Sequence, residues 1–320
     1  MIATIVRTVD AQSPDAGIIA EAAAILRAGG LVAFPTETVY GLGANALDAD
    51  AVARVFVAKG RPAGNPLIVH VADRADVHAS VGNWPETAEK LAAAFWPGPL
   101  TLVVAKAANI PEIVTAGGPT VATRCPAHPV ARALIAAAGV PVAAPSANRS
   151  GELSPTIAEH VRAGLDGRVN FILDAGPCPR GIESTVVDVS GPSVRLLRPG
   201  PIAVAELEAV VGPIIIATAS TEGTLPSPGL LARHYAPRTA LELAESADEA
   251  EFLIRTYETA GLRVARLVLG DSPKAAAARL YADLHTFDGG GFHRIIGTLP
   301  PDTDAWRAVR DRLIRAAAEE

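Results

Sequence analysis

Two short motifs carry the side chains best suited to chemistry: Lys59-Gly60-Arg61-Pro62 and Pro145-Ser146-Ala147-Asn148. Each sets two polar groups two residues apart, with a small residue between them, in an otherwise apolar stretch. On extended backbone, residues i and i+2 point the same way, so each motif is expected to aim both groups at one spot. A Lys/Arg pair facing a Ser/Asn pair would hold an anion such as a phosphate. Lys59 has a plainer explanation, because basic residues are favoured at helix C-termini. Arg61 is harder to explain that way, since Pro62 pushes the residue before it toward extended backbone.

Other polar groups fall where strands are expected to end. Pro35 to Gly43, carrying Thr38, follows a predicted strand and reads as a ligand-facing loop or an ordinary strand-to-helix turn. Asn65-Pro66 leads into a strand ending near His70, and a lone histidine there is more often structural than catalytic. Arg124 closes the strand of Val121 before Cys125-Pro126 breaks it. It could present a fork to a carboxylate or make a surface salt bridge. Gly181 to Thr185, with Ser184, enters a further strand, and Arg198-Pro199-Gly200 closes the cluster. Trp96-Pro97-Gly98-Pro99 reads as a rigid turn. Together, Thr38, Arg61, Arg124, Ser146, Ser184 and Arg198 suggest a ligand site, because ligands of α/β sheets sit at strand ends. No Walker A loop is present, and no G-x-G-x-x-G follows a strand.

The elements that must position these groups alternate at first. A helix capped around Ser13 to Asp15 ends at Gly29-Gly30. A strand follows at residues 31–34, then a helix over 48–59 stopped at Gly60. Strands are predicted at 67–71, 100–105, 121–124, 142–144, 171–173, 185–189 and 194–197, with helices at 87–95 and 129–138. This pattern predicts an α/β fold of α+β character with a twisted mixed sheet and flanking helices over residues 1–212. Ser, Thr, Gly and Pro crowd Thr218 to Pro237, which reads as a linker, set at 213–238. A smaller Rossmann-like α/β domain is expected over 239–320, with strands at 240–243, 264–269 and 295–299 and helices at 247–260, 274–282 and 303–318.

The 320 residues are 49% hydrophobic and 19% charged, enough for a sizeable core, and aromatics are only 4%, so that core must be mainly aliphatic. A net charge of -6, from 28 basic and 34 acidic residues, argues against a protein that coats nucleic acid but not against a local basic cleft. Two cysteines, Cys125 and Cys178, make neither a disulfide scaffold nor a metal-ligand spacing. No secretory signal and no membrane span are expected, so the default setting is the cytoplasm.

Six segments in this order resemble the threonylcarbamoyl-AMP synthases, the YrdC-like family: FPTETVYGLGANA (34–46), KGRPAGNPLIVHV (59–71), FWPGPLTLVV (95–104), APSANRSGELSPT (144–156), GIESTVVDVS (181–190) and LLRPG (196–200). The likeness spans the whole first domain. Ser227-Pro228-Gly229 and His234-Tyr235-Ala236-Pro237 match the linker of the two-domain form, while Leu230 to Arg233 depart from its more polar and aromatic residues. The resemblance implies condensation of L-threonine, bicarbonate and ATP into threonylcarbamoyl-AMP and pyrophosphate, with Mg²⁺ on the triphosphate. A separate transferase complex would then pass the group to a tRNA adenosine beside the anticodon, with at most a weak direct tRNA contact and no membrane. It implies a threonine pocket of Thr38, His70, Arg124, the Ala144 backbone and Ser184, with Arg124 taking the carboxylate. It implies a nucleotide site of Arg61, Asn65, Thr120, Ser146, Ser154, Arg198 and Tyr235, with the linker folding back as a lid. Lys59, Arg61, Ser146 and Asn148 would bring a carbamate and the α-phosphate together, and no residue stands out as a general base.

Two further readings remain open at this level. A YrdC-like module could bind RNA without synthase activity. A carbamoyl-transfer maturation factor could share the domain, but such proteins carry cysteine-rich zinc modules for which two cysteines leave no room.

Overall fold

The computed structural model describes residues 2–217 and 234–318. The expected Ser227-Pro228-Gly229 and Leu230 to Arg233 contacts, and most of the predicted linker, lie outside them. Among the described residues, no helix is long and apolar enough to cross a membrane.

The larger sheet holds β1 (Ile5–Thr8), β2 (Val32–Phe34), β3 (Gly41–Asn45), β4 (Ile68–His70), β5 (Val81–Asn83) and β6 (Leu100–Lys106). It continues with β7 (Thr120–Arg124), β8 (Val142–Ala143), β9 (Phe171–Asp174), β10 (Thr185–Asp188), β11 (Arg195–Arg198) and β12 (Ile215–Ile216). Their order is β1-β9-β2-β3-β8-β4-β7-β6-β10-β11-β12, with β5 paired to β6. Parallel and antiparallel pairs mix along it: β4 runs parallel to β7, for example, and β8 antiparallel to both β3 and β4. The mixed sheet is therefore as expected. Flanking it are α1 (Ala16–Arg27), α2 (Ala49–Lys59), α3 (Glu86–Phe95), α4 (Glu112–Thr115), α5 (Pro129–Ala138), α6 (Ala158–Leu165) and α7 (Val204–Val211).

Local chemistry explains the boundaries. The Asp15 carboxylate accepts from the Ile18 amide, so α1 starts one turn before its buried stripe of Ile19, Ala22, Ala23 and Leu26. Asp48 caps α2 by accepting from the amides of Asp50 and Ala51. The helix stops at Gly60, whose φ of 62° is left-handed and favours glycine. Four strands escape a sequence reading: β1, β3, β5 and β12. β1 is a largely exposed edge strand paired only to β9. Gly41-Leu42-Gly43 was expected in a loop but belongs to β3, because pairing to β2 and β8 outweighs the poor strand propensity of glycine.

Separate apolar cores cover the sheet, one including Leu42, Val52, Val69 and Leu102, another built from α1, α5, Phe34 and Phe171. The second sheet is three-stranded and parallel: β13 (Ala240–Ala244), β14 (Val264–Leu267) and β15 (Arg294–Thr298), in the order β13-β15-β14. Around it lie α8 (Ala247–Thr259), α9 (Pro273–Gly289) and α10 (Arg307–Ala317). Helix α9 runs seven residues beyond its expected end at residue 282, burying Leu284. A third core joins the two sheets' domains: Val39, Leu153, Ile182 and Tyr235 pack with Leu241, Leu280, Tyr281 and Leu313.

Candidate active site

The sheet's registers bring distant segments to one place. His70 at the end of β4 pairs with Arg124 at the end of β7 and with Val142 of β8. Gly41 of β3 forms a bridge with Ser146, and the Ala144 amide donates to the Ile68 carbonyl at 2.8 Å. Between these ends lies a cavity of about 50 Å³. Thr36, Thr38, Val39, Gly41, Arg61, Ile68, His70, Arg124, Ala144, Pro145, Ser146, Glu183, Ser184, Arg198, His234 and Tyr235 line it. Three guanidinium groups thus face one small space, which suits an anionic ligand.

The two opening motifs do face each other, but not as extended pairs. Lys59 is the last residue of α2, and the left-handed turn at Gly60 sends Lys59 and Arg61 in different directions. Lys59, only 2% exposed, donates to the main-chain carbonyls of Ser146, at 2.5 Å, and of Asn148. Burial, then Arg61, pulls its ammonium well below the ordinary range. A neutral amine would still carry the two N–H groups those carbonyls need. Asn148 holds its own loop, donating to the carbonyls of Arg149 at 2.8 Å and Glu152 at 2.7 Å. Lys59 and Asn148 therefore brace the Ser146 loop and are not among the residues that line the cavity. Arg61 does line it. Its Nε and Nη2 donate to the carbonyls of Asn65 and Pro66 and to the Asn65 side chain. Burial brings its pKa down to about 10.

Arg124 is no surface salt bridge. Its side chain is 5% exposed and pairs with Glu37, 8% exposed, at 2.7 Å. The same Nη2 donates to Thr38 Oγ1 at 3.0 Å, and Nε donates to the Gly98 carbonyl. Glu37 also accepts from the Ala127 amide, which fixes the pair at the strand end. His70 is buried with Nδ1 unpartnered, and burial followed by Arg124 pulls its pKa down to about 3, so a neutral imidazole faces the cavity. Ser184 Oγ lies 2.8 Å from Thr101 Oγ1, and Arg198 donates to the Ser184 carbonyl and hydroxyl.

Four of the remaining expected residues stand one hydrogen bond behind the lining. Asn65 bonds Arg61, Ser154 bonds Glu183, and Lys59 and Asn148 contact Ser146. Thr120 begins β7 while Arg124 ends it, which separates them by roughly 13 Å at the rise of a strand. Sequence reasoning gave no role to Glu37, Glu183 and His234. The signal available for the first two was their place beside Thr38 and Ser184 in the same motifs. His234 Nδ1 is also buried and unpartnered, and burial pulls its pKa down to about 3.

This geometry has counterparts. A family model described as "Telomere recombination", covering the Sua5, YciO and YrdC proteins, matches residues 24–200. The model of the threonylcarbamoyl-AMP synthase C-terminal domain matches residues 202–318. The chain is 45% identical over 320 residues to the Bacillus subtilis threonylcarbamoyl-AMP synthase, covering 93% of this chain and 92% of the relative. It is 42% identical over 315 residues to the Pyrococcus abyssi enzyme of the same name, covering 92% and 93%. The solved structure of P. abyssi Sua5 complexed with L-threonine superposes with a TM-score of 0.91 at 40% identity, covering 99% of this chain and 97% of that one. Two matched domain models and relatives similar along nearly their full length place this chain in the threonylcarbamoyl-AMP synthase family, in its two-domain form.

Proposed function

We propose that this chain condenses L-threonine, bicarbonate and ATP into threonylcarbamoyl-AMP, releasing pyrophosphate. The observation that carries the reading is the cavity in which Arg61, Arg124 and Arg198 converge beside hydroxyl groups and a neutral histidine. Threonine's amine and bicarbonate first give a carbamate and water. A carbamate oxygen then attacks the α-phosphorus of ATP, and the bond to the β-phosphate oxygen breaks as pyrophosphate leaves. Both reactants are anions, so positioned cations lower the cost of their approach and of the charge at phosphorus.

Arg124 would take the threonine carboxylate, with Thr38, His70, the Ala144 backbone and Ser184 completing the pocket. The nucleotide would lie along Arg61, Asn65, Ser146, Ser154, Arg198 and Tyr235, with Thr120 at its far margin. Mg²⁺ would enter on the triphosphate as part of the substrate. Among the described residues, no cluster of three or more metal-ligating side chains offers it another seat. Glu183, the carboxylate bordering the cavity, has both oxygens engaged by Ser154, Tyr281 and Arg312.

Residues 1–212 would form the catalytic domain, 213–238 a lid and 239–320 a docked α/β domain. Tyr235 supports the lid: it is 1% exposed, holds a φ of 63°, lines the cavity and accepts from Arg198 Nη1 at 3.4 Å. A lid is useful here because the mixed anhydride product is prone to hydrolysis. The product would pass to a separate transferase complex that modifies tRNA, which sets the work in the cytoplasm. Incubation with ATP, Mg²⁺ and bicarbonate is expected to release pyrophosphate only when L-threonine is added. Release that ignores threonine, or none from folded protein, would count against the reading.

A further inference from the structure

Glu183 stands beside Ser184 on the cavity wall, yet its partners come from both domains. Its Oε1 accepts from Ser154 Oγ at 2.5 Å. Its Oε2 accepts from Tyr281 of α9 at 3.0 Å and from Arg312 Nε of α10 at 2.8 Å. The Arg312 side chain is fully buried. It also donates to the Pro199 carbonyl at 3.1 Å, next to Arg198, and to Asp311, and its guanidinium lies 5.1 Å from the Tyr235 ring centre. One arginine of the second domain therefore touches the loop before β10, the loop after β11 and the ring that closes the cavity.

The fit between the domains is close enough to transmit position. Gly181 opens the Glu183 loop, and a Cβ there would fall 2.4 Å from the Ala278 carbonyl oxygen and 2.5 Å from that of Ala277. Helix α9 is thus seated directly on the loop's backbone. A buried carboxylate inside an anion site is a hazard, since it repels the ligand and competes for its cations. Burial pushes the Glu183 carboxyl up, but Arg312 and then Arg198 outweigh burial and hold it below the ordinary range. Were Arg312 absent, Glu183 would be left to Arg198, one of the three arginines that line the cavity.

We propose that Arg312, assisted by Tyr281, is a positioning residue of the nucleotide site: it neutralises Glu183, which borders the anion cavity, and seats Ser154 and Tyr235. The inference rests on the synthase reading above and gives the second domain a part in nucleotide binding. It is tested in the full-length chain by measuring the Kd of a non-hydrolysable ATP analogue by calorimetry for R312M, E183Q and the double variant. Threonine-dependent pyrophosphate release by the wild type is measured alongside. R312M is expected to weaken analogue binding about tenfold while L-threonine binding changes little. The double variant is expected to recover most of that loss, because no charge remains buried alone. A folded R312M with unchanged nucleotide affinity overturns the proposal, and so do R312M and E183Q losses that simply add. If R312M does not fold, Y281F decides: a weaker loss in the same direction supports the proposal, and wild-type affinity overturns it. Because analogue binding is read without turnover, failure of the synthase reading appears separately, as a wild type that binds nucleotide and releases no threonine-dependent pyrophosphate.

Discussion

Lys59 donates to the main chain at Ser146 and Asn148 while remaining almost wholly buried, so one side chain at the end of α2 fixes the loop that carries two predicted site residues. Lys59→Met keeps the length and removes both donors. Two buried carbonyls then lose their partners, and a destabilisation of about 2–4 kcal/mol is expected. Urea midpoints measure it. Activity should fall further than stability accounts for, because Ser146 loses its placement. A Lys59→Met protein with an unchanged midpoint would remove the bracing role.

Arg61 lies against the cavity with its Nε and one terminal nitrogen already oriented by Asn65 and Pro66. An arginine held in this way loses little rotamer freedom on meeting a phosphate. Arg61→Ala is expected to cut kcat/KM by about a hundredfold or more, roughly 2.7 kcal/mol of transition-state stabilisation, with folding retained. Pyrophosphate release and circular dichroism test the two halves of that statement. Near-normal turnover would take Arg61 out of the site.

Arg124 presents a different problem, because it is paired with Glu37 inside the protein. Truncation would leave a buried carboxylate alone and cost about 3–5 kcal/mol, so Arg124→Ala confounds binding with stability. Arg124→Lys keeps the charge and loses the fork. It is expected to raise KM for L-threonine at least about tenfold with a smaller effect on KM for ATP. Equal changes in the two constants would argue against Arg124 as the carboxylate ligand.

His70 and His234 give the fold an acid limit. Burial pulls both down to about 3, while the unfolded chain titrates near the ordinary histidine value. Above that value neither state binds the proton, and the stability is fully present. As pH falls below it, only the unfolded state is protonated, and stability is lost until the folded pKa is reached. Near pH 5.5 the loss is about 1 kcal/mol for each imidazole. Unfolding free energies at pH 7.5 and 5.5 check this, and the His70→Asn, His234→Asn double variant should show a shallower decline. A wild-type stability that is flat across that interval would sink the idea.

The elements were legible wherever local chemistry writes boundaries. Asp48 and Gly60 bracket α2, and Pro129 begins α5, because caps and prolines act within a few residues. β3 was hidden, because its glycines owe their strand to pairing with β2 and with the distant β8. The site was legible as a set of strand-end polar residues, Thr38, Arg61, Arg124, Ser146, Ser184 and Arg198, all six of which line the cavity. Their orientation was not. Whether Lys59 faces a ligand or a carbonyl depends on one left-handed residue and on where the Ser146 loop lands. Glu183 was passed over because its main partners, Arg312 and Tyr281, lie about a hundred or more residues away in a part of the chain with no motif to announce them.

The core shared by Val39, Leu153, Ile182, Tyr235, Leu280, Tyr281 and Leu313 bears on how the molecule comes apart. Domains joined only by a linker melt independently, each at its own temperature. Here neither half can open without exposing apolar surface of the other and stranding the Arg312–Glu183 pair. Calorimetry is therefore expected to record a single cooperative transition, with calorimetric and van't Hoff enthalpies in agreement, and two resolved peaks would contradict it. Cleavage at a protease site engineered between residues 217 and 234 should break the chain without releasing either half, so loss of covalent continuity and loss of the native state become separate events.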